Sequence, residues 1–100
     1  MSTYPTRQDK ELIEGFLKLK NEKEFTNFLR DLLTPAEIEE FSKRFQIAKL
    51  LWTTNQPYLK IAKKVNTSTT TVTRVSHWLF KENQQGYALI LKKMFGRSKR

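Results

Sequence analysis

One hundred residues with 38% hydrophobic content are enough for one domain, or for one half of an intertwined pair. The chain has no cysteine and a single histidine, His77, which excludes a disulfide framework and any thiol- or histidine-rich metal site. The net charge of +9 is unevenly spread: residues 1–50 carry nine Lys/Arg and nine Asp/Glu, whereas residues 51–100 carry ten Lys/Arg and one acid, Glu82.

A half-chain so depleted of carboxylates repels itself unless a polyanion neutralises it. Nucleic acid is the first such partner to consider and an anionic membrane surface the second. The start, MSTYPTRQDKE, has no apolar run and does not read as a secretory signal. No stretch approaches the roughly 20 apolar residues of a membrane span. The expected location is cytoplasmic, with no membrane and no metal partner.

In chain order, residues 1–8 read as a flexible N-terminal arm, and 9–95 as one helical domain. From Asp9 the pattern is helical, with Leu12, Ile13, Phe16, Leu17 and Leu19 on one stripe and Lys10, Glu11, Glu14 and Lys18 facing away. Asn21 breaks it. A second helix spans about 22–32, with Phe25, Phe28, Leu29 and Leu32 as its apolar face.

Thr34-Pro35-Ala36-Glu37 then combines an N-cap, a proline at the first helical position and a capping-box glutamate. The third helix should run from Pro35 to about Trp52. Its apolar residues, Ile38, Phe41, Phe45, Ile47, Ala48, Leu50, Leu51 and Trp52, go most of the way round, so burial on several sides is expected. Residues 53–57 form a turn. A fourth helix covers about 57–64, a fifth about 68–80 and a last one about 87–95, and the basic tail 96–100 (GRSKR) is expected to be disordered. No strand is expected.

The segment YLKIAKKVNTSTTTVTRVSH, residues 58–77, meets the steric rules of a helix-turn-helix, placed at about 57–80. Its fifth residue must be small where the helices cross, and is Ala62. Its ninth takes a left-handed backbone, which suits Gly or Asn, and is Asn66. The fourth, eighth, fifteenth and eighteenth should be apolar, and are Ile61, Val65, Val72 and Val75. Each match is a weak signal alone; jointly they make a moderately strong one.

With Val72, Val75 and Leu79 facing inward, Thr70, Thr73, Arg74 and His77 face outward and Thr69 lies on the flank. Short hydroxyls there can cap the helix, bind phosphates or reach base edges, and their methyls can touch thymine. Taken alone, a threonine run is equally a solvated face. Arg74 has the fork that guanine accepts bidentately, or it can hold a phosphate or a structural ion pair to the third helix. Thr67 and Ser68 mark a helix N-terminus suited to phosphate, and Lys60, Lys63 and Lys64 supply backbone contacts. His77 has nothing beside it for catalysis, and Trp52 and Trp78 read as core or dimer-interface packing. Neither a Gly-rich phosphate loop nor a clustered acid–base pair is present, so no enzyme is expected. The competing readings are a non-specific basic nucleic-acid-binding or protein-interaction module, and RNA binding, which lacks exposed aromatics for stacking.

Over residues 25–95 the chain resembles the Trp repressor superfamily, in particular its TrpR-like branch of unassigned function. The landmarks are LLTPAE at 32–37, Arg44 in FSKRF, the helix-turn-helix, and TVTRVS at 71–76. The resemblance implies an all-α fold of about six helices in an intertwined homodimer, binding double-stranded DNA as a transcription regulator that acts as a repressor. It also implies an effector pocket at Thr34, Arg44, Thr71 and Arg74. Val75 stands where the founding member has a glycine that leaves room for an indole. No cofactor is therefore expected, although L-tryptophan or another small corepressor is the ligand class the resemblance brings with it.

Overall fold

The computed structural model describes residues 3–100; Met1 and Ser2, the first two residues of the expected arm, lie outside the described residues. Six helices and no strand occur among the described residues: α1 (Arg7–Leu17), α2 (Glu22–Leu32), α3 (Pro35–Thr53), α4 (Tyr58–Val65), α5 (Thr69–Phe80) and α6 (Gly86–Phe95). The chain divides into two compact units, with the boundary between Ile38 and Glu39.

In the first unit, α1 starts at Arg7 rather than at the expected Asp9. Thr6 is the N-cap: its hydroxyl accepts from the Asp9 N–H at 3.1 Å, and its own N–H donates to the Asp9 carboxylate at 2.8 Å. Asp9 therefore closes a capping box one turn in, where the periodicity had made it the first residue. The helix ends at Leu17, so Leu19 lies beyond the stripe assigned to it. The Asn21 side chain caps α2 through the Glu24 N–H at 3.0 Å, which explains why the break falls there. Phe16 and Phe28 meet edge-to-face at 5.4 Å. Neither α1 nor α2 contains a fully buried residue, and Leu12, Ile13, Leu17, Phe25 and Leu32 remain exposed.

The cap of α3 forms as the sequence predicts. The Glu37 carboxylate accepts from the Thr34 N–H at 2.9 Å and the Thr34 hydroxyl accepts from the Glu37 N–H at 3.2 Å. Those two hydrogen bonds, the backbone one foremost, hold the Glu37 carboxyl below its ordinary range. A carboxyl with a lowered folded-state pKa stabilises above its unfolded value, about 4.3, and loses that stabilisation as pH falls through the folded value. Glu37→Ala should therefore be less stable than the parent at neutral pH, with the gap closing in acid. Urea melts of both proteins at pH 7 and pH 3 check this, and a gap independent of pH would assign the effect to helix propensity instead.

The core lies in the second unit. Ile47, Ala48, Leu51 and Trp52 of α3 form it with Ile61 and Ala62 of α4, Val72, Val75 and Leu79 of α5, and Leu91 of α6. All-round burial of α3 is confined to its C-terminal half; Phe41 is exposed and Phe45 half-buried. The tail departs from expectation. It is ordered against the end of α3, because that end presents carbonyls without intrahelical partners. The Lys99 N–H donates to the Trp52 carbonyl at 2.8 Å and Arg100 Nε to the Leu51 carbonyl at 2.8 Å, while Trp52 Nε1 donates to the Gly96 carbonyl at 2.7 Å. Arg100 also donates to the Gln56 carbonyl. A cation at a helix C-terminus is favoured by the helix dipole as well.

Candidate nucleic-acid interface

Between α4 and α5 the backbone makes the turn required of a helix-turn-helix. Asn66 takes φ 61° and ψ 58°, the left-handed region, and the Thr67 N–H reaches back to the Ala62 carbonyl at 2.9 Å. That six-to-one bond is the Schellman closure of α4, and asparagine tolerates its geometry where a β-branched residue would be strained. Ile61, Ala62, Val72 and Val75 are buried as the spacing predicts, and Val65 packs against the same core half-buried. A further bond between the Tyr58 hydroxyl and Ser76 Oγ, 2.5 Å apart, ties α4 to α5.

Ser68 caps α5, its hydroxyl accepting from the Thr71 N–H at 3.2 Å and lying 3.0 Å from Thr71 Oγ1. Ser68 and Thr71 are thus engaged with each other at the helix start. Thr67 is half-buried in the turn and Thr69 is exposed at the first helical position. First-turn amides have no intrahelical acceptor, so the N-terminus of α5 presents N–H groups outward.

Thr70, Thr73, Arg74 and His77 are exposed and line one shallow concavity along the outer face of α5, as the helical spacing predicts. Thr73 Oγ1 donates to the Thr69 carbonyl at 3.0 Å, which leaves its lone pairs and methyl available to a ligand but commits its hydrogen. Arg74 makes no ion pair among the described residues, so the structural pairing with α3 weighed from the sequence does not form. Glu82, the only acid of residues 51–100, is 3.1 Å from His77 Nε2.

Lys60 and Lys63 share a concavity with Pro57 and the exposed Leu59, whereas Lys64 lies with Lys43 and Lys49 of α3 around another, and Lys43 Nζ donates to the Asn66 carbonyl at 3.4 Å. Lys43 and Lys49 bring two further cations of α3 to that concavity, which Glu39 also lines, its carboxylate 3.5 Å from Lys43 Nζ. The charge balance of residues 1–50 does not reveal them, because it averages over α1, α2 and α3 together.

Of the residues assigned to an effector pocket, Thr34 is the cap of α3 in the first unit, and Thr71 is half-buried beside Ser68. Arg74 faces outward, and Val75 is fully buried in the core. Arg44 is half-buried, its guanidinium 5.5 Å from the Phe41 ring and 5.6 Å from the Trp78 ring, with Nε donating to Glu40 at 3.2 Å. Burial pushes the Tyr87 phenol up, and the Arg44 charge partly opposes that shift. Trp52 packs in the core; Trp78 packs against it half-buried and reaches Arg44, a contact spanning 34 positions that has no local sequence signal.

No group of three or more potential metal-ligating side chains occurs among the described residues, and no helix there is long and apolar enough to cross a membrane. The arrangement is that of an all-helical protein presenting a helix-turn-helix whose second helix carries an open, hydroxyl- and cation-lined face. The model of the Trp repressor protein family matches residues 7–95. The chain resembles the crystal structure of a proposed Trp repressor from Staphylococcus aureus, at 32% identity and a TM-score of 0.81, covering 93% of this chain and 91% of that one. It also resembles that of a TrpR-like protein from Eubacterium eligens, at 33% identity and a TM-score of 0.81, covering 95% and 96%. No curated protein matches. The chain belongs to the Trp repressor family, a family of DNA-binding regulators rather than enzymes.

Proposed function

We propose that the protein is a sequence-specific transcription regulator that binds double-stranded DNA as a homodimer, reads the major groove with α5 and represses by occluding its site. The observation that carries this reading is the single open face of Thr70, Thr73, Arg74 and His77 on α5, within the half of the chain that holds the whole net charge. Lys60, Lys63 and Lys64, with the α5 N-terminus at Thr67, Ser68 and Thr69, fix the register on phosphates. Thr70, Thr73 and Arg74 meet base edges. The apolar residues left exposed on α1, α2 and α6, including Leu12, Ile13, Phe25, Leu89, Ile90 and Met94, support the homodimer, since a monomer rarely exposes so much apolar surface. A cytoplasmic location follows from this role.

No small corepressor enters the scheme, because the buried Val75 side chain occupies core volume at the position where the family's founding member leaves space. Selection from a randomised duplex library, at two salt concentrations and with or without L-tryptophan, tests the proposal. An enriched palindrome with half-sites about one helical turn apart is expected without tryptophan. Enrichment only in its presence would restore the corepressor, and no enrichment, with binding that collapses as salt rises, would replace this reading with the non-specific module.

On the selected duplex, Thr73→Ala should cost about 1–3 kcal/mol of discrimination at one base pair. Lys63→Ala should weaken binding to all sequences alike and lower the salt slope by about 1. Identical profiles for the two variants would refute the division between base and phosphate contacts.

A further inference from the structure

Arg44 of α3 meets side chains of both α5 and α6. On α3, Phe41 lies one turn before it under one ring contact at 5.5 Å, and Glu40 takes its Nε at 3.2 Å, so the guanidinium is already oriented by its own helix. Trp78 approaches from α5, with its ring 5.6 Å from the same guanidinium. Tyr87 of α6 is close enough to feel the charge. Both α3 partners are local in sequence, at three and four residues. The Trp78 contact is the cross-link.

Its place on α5 gives it a consequence. Trp78 follows His77 directly and lies one turn after Arg74, two of the four residues on the open face. The buried Val72, Val75 and Leu79 hold α5 against the core, but apolar packing alone is non-directional and tolerates rolling of a helix about its axis. A guanidinium lying over an indole face, here 5.6 Å from its centroid, resists such rolling, because the attraction depends on the cation lying over the ring. The Tyr58–Ser76 hydroxyl bond, at 2.5 Å, ties the same stretch of α5 to α4.

We propose that Trp78 is a positioning residue: with its ring facing the Arg44 guanidinium, it sets the rotation of the C-terminal half of α5 and so the aim of Arg74 and His77, with no bound small molecule needed. The inference rests on α5 being the reading helix for its consequence, though not for its physical test.

Backbone amide exchange along α5, followed in the parent, Trp78→Ala, Trp78→Phe, Arg44→Gln and the Trp78→Ala/Arg44→Gln double variant, provides that test. Trp78→Ala should speed exchange at His77–Phe80 while α4 keeps its protection, and Trp78→Phe should restore most of the loss because phenylalanine also offers a ring face. Arg44→Gln should act on the same amides, and the double variant should be no faster than the worse single one. The coupling between the two sites is expected at about 2- to 5-fold in rate. Additive effects, or exchange in Trp78→Ala that rises equally in α4 and α5, would overturn the proposal and leave Trp78 as ordinary packing. Affinity for the library-selected duplex should fall with the same variants. The expected exchange pattern with unchanged DNA affinity would sustain the clasp as a structural fact but overturn its role in aiming the reading face. Failure of any sequence to enrich in the first place would instead count against the DNA-reading function itself.

Discussion

Replacing Ile61 by alanine is expected to lower the stability of the helix-turn-helix half by about 2–5 kcal/mol. Ile61 is fully buried in a core to which four helices contribute. Truncation removes its transfer free energy and leaves a cavity that walls drawn from several helices fill only in part. Against a total stability of about 5–15 kcal/mol for an ordinary domain, such a loss is large. It would appear as a fall in the urea midpoint at constant slope. Because association with a second copy would add concentration-dependent stability, parent and variant are compared at one protein concentration. Lys60→Ala, one residue away and exposed, is the control and should stay within about 0.5 kcal/mol. A loss at Ile61 as small as that would mean that α4 is not anchored by this side chain.

Ala62→Leu is expected to act on stability and on DNA binding together. Ala62 is 3% exposed, at the position where the helix-turn-helix spacing puts the crossing of α4 and α5. The isobutyl group has no room there unless the helices part, and overpacking of this kind costs about 1–3 kcal/mol. The strain falls on the α4–α5 angle, which sets how the face of Thr70, Thr73, Arg74 and His77 meets a groove while the lysines of α4 meet phosphates. Affinity for the selected duplex should therefore fall by about tenfold or more, since each 1.4 kcal/mol of misfit corresponds to one decade. Thermal melts and duplex titrations, with Ala62→Ser as the small-residue control, read both effects. Normal DNA affinity in a destabilised Ala62→Leu protein would show that the crossing angle does not govern recognition.

These two positions were legible before any coordinates, because their constraints are local. A small residue at a crossing, a left-handed turn residue and apolar residues at fixed offsets are demands that twenty consecutive residues must meet among themselves. Ile61, Ala62, Asn66, Val72 and Val75 meet them in the structure as the spacing predicts. The cap at Thr34 and Glu37 was legible for the same reason. The box at Thr6 and Asp9 has the same three-residue spacing, but with no proline beside it its sequence signal is weaker.

What escaped the sequence reading depends on groups far apart in the chain. The tail is ordered because α3 ends with carbonyls that need donors, and only folding brings Lys99 and Arg100 to them. Lys43 and Lys49 join Lys64 because α3 passes beside the end of α4. Arg44 meets Trp78 across 34 positions for a similar reason.

The sequence by itself determined the six helices, the cap of α3, the helix-turn-helix and the outward set of Thr70, Thr73, Arg74 and His77. Each of these follows from hydrogen bonding and side-chain periodicity within a turn or two of helix. Only the tertiary structure decided which cations share a surface, what the tail caps and which ring holds Arg44. Such contacts depend on how whole helices cross, and crossing is settled by the packing of a common core rather than by any one segment.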